Sequence, residues 1–172
     1  MTFKDLITKR ESIRNYDAER KVDQASLTRI LEAGWVAPSA ANRQPWKFYL
    51  VSTKENLDKV RTCYDRAWFH EAPHVLIVAG KRKEAWERKY DGYNALETDL
   101  TIAMDHMILA AESEGVSTCW IAAFDPEKLI RTGILDDHEE VFAITPLGYP
   151  KQGFAKKGLK ARKPFYEVVR FV

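Results

Sequence analysis

Cysteine is scarce: Cys63 and Cys119 are the two in 172 residues, too few for a disulfide-stapled secreted scaffold and spaced for no CxxC redox or zinc pattern. Long apolar runs are missing as well. The most apolar extended segment, 96–111, carries Glu97, Asp99, Asp105 and His106, which a bilayer-spanning helix of about 20 apolar residues does not accommodate. The N-terminus, MTFKDLITKRES, mixes acid and base at once and lacks the apolar core and small-residue cleavage site of an export signal. The expectation is a cytoplasmic protein with no membrane partner. GxSxG, GxGxxG and GxxxxGKS/T do not occur, which removes the commonest hydrolase, dinucleotide-fold and P-loop readings. His70 and His74 are four apart, but Pro73 precedes His74 and works against the helix that a zinc pair would need. No metal site is expected, and neither repeats nor low-complexity tracts occur.

What is present is enough for one real core. At 19.8 kDa, with 45% hydrophobic and 30% charged residues, the chain should bury roughly 70% of its unfolded surface. Lys and Arg total 27 against 25 Asp and Glu, yet the balance is uneven. From Lys151 onward seven bases (Lys151, Lys156, Lys157, Lys160, Arg162, Lys163, Arg170) face the single acid Glu167. Such a tail suits nucleic acid, an acidic partner or a phosphorylated small ligand, and net charge does not choose among them.

Hydrophobic spacing predicts the elements. Phe3, Leu6 and Ile7 mark a short first helix with Lys9 and Arg10 in its last turn. Asp23 caps a second helix over 24–35. Pro38 and Pro45 bracket a loop, a strand follows at 47–51, and a surface helix is expected over 56–63. His74 to Ala79 is unalternated and ended by Gly80, as in a central strand covered on both faces. Leu96, Leu100, Ala103, Met104, Met107, Ile108 and Ala111 define one broad face of a long helix stopped near Gly115. Strands at 116–121 and 141–147 flank a short helix begun by Asp125 and Pro126, and 165–171 reads as a closing extended segment. Four strands among helices give an α+β or α/β class with a compact central sheet.

Two basic clusters could meet a phosphate: Arg10, Ser12 and Arg14 in KRESIRNY, and Lys160 with Arg162 in GLKARKP. Each also reads as solvated surface. Ser39 and Asn42 read equally as turn residues, and Cys119 reads as a buried packing residue. Trp68, Phe69, Trp86, Tyr90 and Tyr93 are close enough in sequence to line a pocket or a dimer contact. A bound redox cofactor would account for the missing acid–base kit, because the protein then supplies orientation and polarity.

Five segments in order carry a resemblance: KRESIRNYD, APSAANRQPWKFYLVS, the long helix before EGVSTCWIAAF, ITPLGYP, and LKARKPFYEVV. Together they resemble the FMN-dependent nitroreductase family across essentially the whole chain. The resemblance implies an α+β, nitroreductase-like fold: one domain over 1–172, a central mostly antiparallel sheet flanked by helices, and 151–172 as basic loop and dimerisation arm exchanged between subunits. It implies a homodimer binding FMN at its interface. Arg10, Ser12 and Arg14 then match the grip on phosphate and ribityl chain, with Lys160 and Arg162 as a second phosphate pair. Pro38, Ser39, Ala40 and Asn42 match a loop reaching the other subunit's flavin, and Ile121 with Ala122 match the stretch beside its ring. Three positions depart from the pattern: Glu11 where a basic residue or histidine is common, Ala40 where serine is common, and Ala122 where glycine is frequent. Glu11 is unfavourable near a phosphate unless it turns away or pairs with a cation. The implied activity is ping-pong transfer of hydride from NAD(P)H to nitroaromatic, quinone or similar small acceptors, with no residue named as catalytic. Related folds offer dehalogenation, flavin modification or non-enzymatic flavin binding as alternatives, and nucleic acid is not an expected partner.

Overall fold

The computed structural model describes residues 2–158 and 160–172. Four antiparallel strands form the sheet, in the order β1-β2-β4-β3: β1 Trp46–Val51, β2 His74–Gly80, β3 Ser117–Thr118 and β4 Glu140–Gly148. The helices are α1 Phe3–Lys9, α2 Gln24–Trp35, α3 Lys54–Arg61, α4 Ala67–His70, α5 Leu96–Ser113, α6 Pro126–Ile130 and α7 Phe165–Val168, with a 3-10 turn at Ala40–Asn42.

Every residue of β2 is buried, as its unalternated sequence predicts, because both sheet faces are covered. Leu76 and Val78 point into one core with Leu27, Ile30, Leu100, Met104 and Met107 of α2 and α5. Val75 and Ile77 point into the other with Leu57, Val60, Phe69 and Leu129 of α3, α4 and α6. Gly34 lets α2 and α5 close up, since a Cβ there would lie 2.7 Å from Met107 Cγ. Arg29 then locks the pair, its Nε and Nη2 donating to the two oxygens of Glu114 at 2.8 and 2.6 Å.

Element boundaries differ from the sequence reading for identifiable reasons. Helix α3 starts two residues early because Thr53 caps it, its hydroxyl accepting from Asn56 N–H at 3.4 Å. The expected strand over 116–121 is named at Ser117 and Thr118 alone, yet Ile121 pairs with Ile144 in the same register. That register puts Cys119 opposite Pro146, which has no N–H to give the Cys119 carbonyl; the Cys119 N–H donates to Thr145 Oγ1 at 3.1 Å, and that hydroxyl donates to the Pro146 carbonyl at 3.1 Å. The closing segment is not extended throughout. After Pro164 the chain makes one helical turn, with Glu167 N–H to Pro164 O at 3.0 Å and Val169 N–H to Phe165 O at 2.9 Å. Its Phe165, Tyr166, Val168 and Phe171 are exposed.

Outside β3 runs the segment after α1. Ser12 bridges Thr118 in parallel fashion and Ile13 N–H donates to Thr118 O at 2.8 Å. Tyr16, fully buried, donates to Ile13 O at 2.9 Å and pins the segment. The N-terminal basic cluster is thereby fixed to the edge of the sheet.

Candidate functional site

The basic loop folds back onto that same edge. Lys151 N–H donates to Asn15 Oδ1 at 2.8 Å, Lys151 Nζ to Glu71 at 2.7 Å, and Lys156 Nζ to Lys9 O at 3.2 Å and to Glu112. These ties bring Lys160 beside Arg10. A cavity of about 580 Å³ is lined by Arg10, Ser12, Arg14, Phe154, Lys157 and Lys160. An adjoining cleft of about 610 Å³ is lined by Ile7, Lys9, Glu112, Lys156 and Arg162. Glu11 and Lys160 line both.

Lys160 Nζ is buried without a hydrogen-bond partner among the described residues. Burial pushes its ammonium below the ordinary lysine range, and the Arg10 and Arg162 guanidiniums push the same way. A cation in that position costs free energy until an anion meets it. The donors around it suit a phosphate, whose several oxygens take charge-assisted bonds from arginine forks and ammonium groups alike.

Glu11 reaches the basic loop through a backbone hydrogen bond rather than an ion pair to Lys160. Its carboxylate lies near Lys160, opposing the two arginines, and accepts the Gly158 N–H at 3.4 Å. It straps the basic loop to the N-terminal segment. Arg14 stands 5.9 Å from the Trp68 ring, and Arg162 lines the neighbouring cleft with Nη1 donating to Ala161 O at 2.9 Å. Cys119 lies beneath, within reach of the Ser12 hydroxyl; burial pushes its thiol up against the opposing pull of Arg14, Ser12 and Arg10.

The other expected contacts lie elsewhere in the chain. Ile121 is buried against Ile144 and Ala122 is exposed just beyond it, four residues from Thr118, or about 13 Å of extended chain. The loop from Pro38 is tied to the far end of α5. Ala40 N–H donates to Asp99 Oδ1 at 2.9 Å, in the first turns of the helix, whereas Glu112 sits in its last turn. Asp99 and Glu112 are about 20 Å apart along the axis at 1.5 Å per residue.

The loop itself is strained. Ala41, Asn42 and Gln44 have φ of 50°, 53° and 50°, left-handed conformations that cost non-glycine residues about 1–3 kcal/mol each. Ser39 offsets part of this cost, its carbonyl accepting from Asn42 N–H at 3.0 Å and its hydroxyl from Gln44 N–H at 2.9 Å. Gly80 is required at the loop's exit, because a Cβ there would lie 2.4 Å from Pro45 O.

Asp99, Lys156 and Phe154 were not among the sequence candidates. Asp99 carried a signal: it falls three residues after Leu96 and four before Ala103, on the buried face of α5. The five aromatics do not form one group. Trp68 and Phe69 pack with Tyr64 in a core, while Tyr90 and Tyr93 are exposed on the 81–95 segment. The string HEAPH at 70–74 has the HExxH spacing of zinc hydrolases, but His70 ends α4 and His74 opens β2. His74 accepts from Val22 N–H at 3.2 Å and meets Ser52 Oγ at 2.7 Å, so both its nitrogens are engaged. No described helix is long and apolar enough to cross a membrane.

Comparison with known proteins agrees with this architecture. The chain is 30% identical over 168 residues to a putative NADH dehydrogenase/NAD(P)H nitroreductase of Archaeoglobus fulgidus, covering 94% of this chain and 88% of that one. The crystal structure of a nitroreductase family protein from Clostridium difficile 630 superposes with a TM-score of 0.90 at 31% identity, over 99% and 98% of the two chains. An FMN-dependent nitroreductase from Clostridium difficile R20291 shares the fold at a TM-score of 0.80 and 24% identity, over 98% of each. With the Nitroreductase family model matching residues 7–63 and 60–149, and the antiparallel sheet and both of its helical layers in place, this chain belongs to the Nitroreductase family.

Proposed function

We propose that the chain is an FMN-dependent oxidoreductase that takes reducing equivalents from NAD(P)H and delivers them to nitroaromatic, quinone or similar small acceptors. The observation that carries this reading is the buried Lys160 Nζ, held beside Arg10 and Arg162 without an acceptor among the described residues. A phosphomonoester supplies the missing charge.

In this reading Arg10, Ser12, Arg14 and Lys160 hold the FMN phosphate, with Arg162 adding positive potential from the neighbouring cleft. Glu11 keeps the basic loop in place. FMN, when bound, supplies an isoalloxazine that accepts hydride from the nicotinamide and passes it on in a second half-reaction. The chain's part is to anchor, to orient, and to place small residues such as Ala122 where a flat ring needs room.

The site is completed by a second copy. The phosphate cluster sits at the C-terminal end of α5 and the 38–42 loop at its N-terminal end, so a homodimer lets the loop of one copy serve the cluster of the other. The exposed Phe165, Tyr166, Val168 and Phe171 supply the apolar area of an arm lying across the partner.

The test is the visible spectrum of the purified protein with identification of the extracted cofactor, followed by steady-state kinetics. Flavin absorbance, extracted FMN, and parallel double-reciprocal lines for NAD(P)H and a quinone are expected. A colourless protein that does not take up added FMN would overturn the reading.

A further inference from the structure

Asp99 is a buried acid that the phosphate site does not use. It is 1% exposed in α5, among the apolar Leu96, Leu100 and Ala103. Its Oδ1 accepts the Ala40 N–H at 2.9 Å, and its Oδ2 is buried without a partner among the described residues. A carboxylate with one hydrogen bond is a poor choice for stability at such a position, because an apolar side chain of similar size would cost nothing to desolvate. Burial raises its pKa, with the Ala40 N–H opposing, which has the same physical origin.

The compensation lies in what Asp99 holds. The turn over Ser39–Gln44 closes on itself: Asn42 and Gln44 amides return to Ser39, Arg43 N–H to Ala40 O at 3.2 Å, and Gln44 Nε2 to Asn42 Oδ1 at 3.1 Å. Self-closure preserves the shape of the turn but not its place on the protein. Two polar ties fix its place. Lys81 N–H holds Pro45 O at 3.0 Å at the exit, and Asp99 holds Ala40 at the entrance.

We propose that Asp99 is a positioning residue, fixing through Ala40 the strained Ala41–Asn42 turn that forms the second face of the flavin site. The proposal rests on the FMN reading above. It makes Asp99 a group retained at the expense of folding stability, and that separates it from an ordinary structural acid.

The experiment compares apo and FMN-loaded wild type, Asp99→Leu and Asp99→Asn. Leucine removes the hook and the buried charge together, whereas asparagine keeps an oxygen for the Ala40 N–H. Asp99→Leu should weaken FMN binding about 10-fold, equivalent to about 1.4 kcal/mol, while the apoprotein melts no lower than wild type. Its Ala40 amide should exchange faster with solvent. Asp99→Asn should bind FMN within about 3-fold of wild type and keep the Ala40 amide protected. The proposal is overturned if Asp99→Leu binds FMN like wild type, if its apoprotein melts markedly lower, or if Asp99→Asn is as impaired as Asp99→Leu. Wild type that does not bind FMN overturns the flavin reading instead, an outcome distinct from all three.

Discussion

The two ends of α5 are built alike and charged oppositely. At the C-terminal end, Glu112 and Lys156 anchor a basic loop that leaves the Lys160 ammonium buried and without an acceptor among the described residues. At the N-terminal end, Asp99 anchors a strained turn and leaves one carboxylate oxygen buried and without a donor among the described residues. The middle of the same helix, Ala103, Met104 and Met107, is dry, apolar and fully packed. Unsatisfied buried polar atoms are rare in folded chains; among the described residues they are Arg61 Nε, His70 Nε2, Asp99 Oδ2 and Lys160 Nζ, and the last two lie at opposite ends of the central helix, one under the strained turn and one beside the phosphate cluster. About 20 Å of helix lies between them, and in the homodimer proposed above a second copy joins one kind of tip to the other.

The largest expected effect follows from removing that second copy. A chain ending at Pro164 loses the exposed Phe165, Val168 and Phe171 and should sediment as a monomer. It should release FMN in the same step, with affinity down by more than about 100-fold, or about 2.7 kcal/mol. A truncated protein that stays yellow and dimeric would show that the two tips are joined without the arm.

The reach of the sequence follows the same division. Periodicity located the helix at 24–35 and the long helix from Leu96 toward Gly115, which ends at Ser113, because burial imposes a one-sided pattern, and the run from His74 to Ala79 revealed a strand covered twice. The resemblance assembled Arg10, Ser12, Arg14, Lys160 and Arg162 from opposite ends of the chain; the structure brings the first four to one cavity and leaves Arg162 in the adjoining cleft. What stayed hidden depended on single partners across space. The interruption of the last edge strand came from Pro146 facing Cys119, and the helical turn at 165–168 from the carbonyl of Pro164. Asp99 was visible only as an interruption in an apolar helix, since its role depends on the Ala40 amide 59 positions away in sequence.

Truncating Lys160 tests the basic tip alone. Bonds from a charged donor are worth about 1.5–3 kcal/mol, so Lys160→Ala should weaken FMN by roughly 10- to 150-fold. Riboflavin, which lacks the phosphate, should bind poorly and be indifferent to the change. Lys163, exposed in the same loop, serves as the control, and fluorescence titration should find Lys163→Ala within about 3-fold of wild type. Equal losses from both lysines would reduce the basic tip to a general electrostatic surface.

Mixing sharpens the comparison further. If each site joins the basic tip of one copy to the acidic tip of the other, a dimer of Lys160→Ala with Asp99→Leu has one doubly damaged site and one intact site. Random exchange between the two variants should therefore return about a quarter of all sites to wild-type affinity. Recovery is read as tight-binding FMN after co-refolding. If no tight sites return, each site is contained within a single copy.

His74 supplies the contrasting case and the smallest effect on the site, a buried titratable group with both nitrogens satisfied. Its Nε2 accepts from Val22 N–H, which leaves the proton on Nδ1 to donate to Ser52 Oγ. Burial, with Lys21 nearby, holds its pKa below the ordinary value of 6.5. The unfolded chain therefore takes up the proton first. The contribution of His74 to stability is complete above about pH 6.5 and is lost as pH falls below that value, by about 1.4 kcal/mol per unit of separation between the two pKa values. Glutamine can accept from Val22 and donate to Ser52 without titrating, so His74→Gln should flatten the decline in urea stability between pH 7 and pH 5. At neutral pH it should change FMN affinity by less than about 3-fold, because no ligand is needed to complete a group the fold has already satisfied. A steep decline that persists in His74→Gln would assign the acid sensitivity to other groups, and a large loss of FMN at pH 7 would mean that satisfied and unsatisfied buried groups cannot be divided between fold and function as they are here.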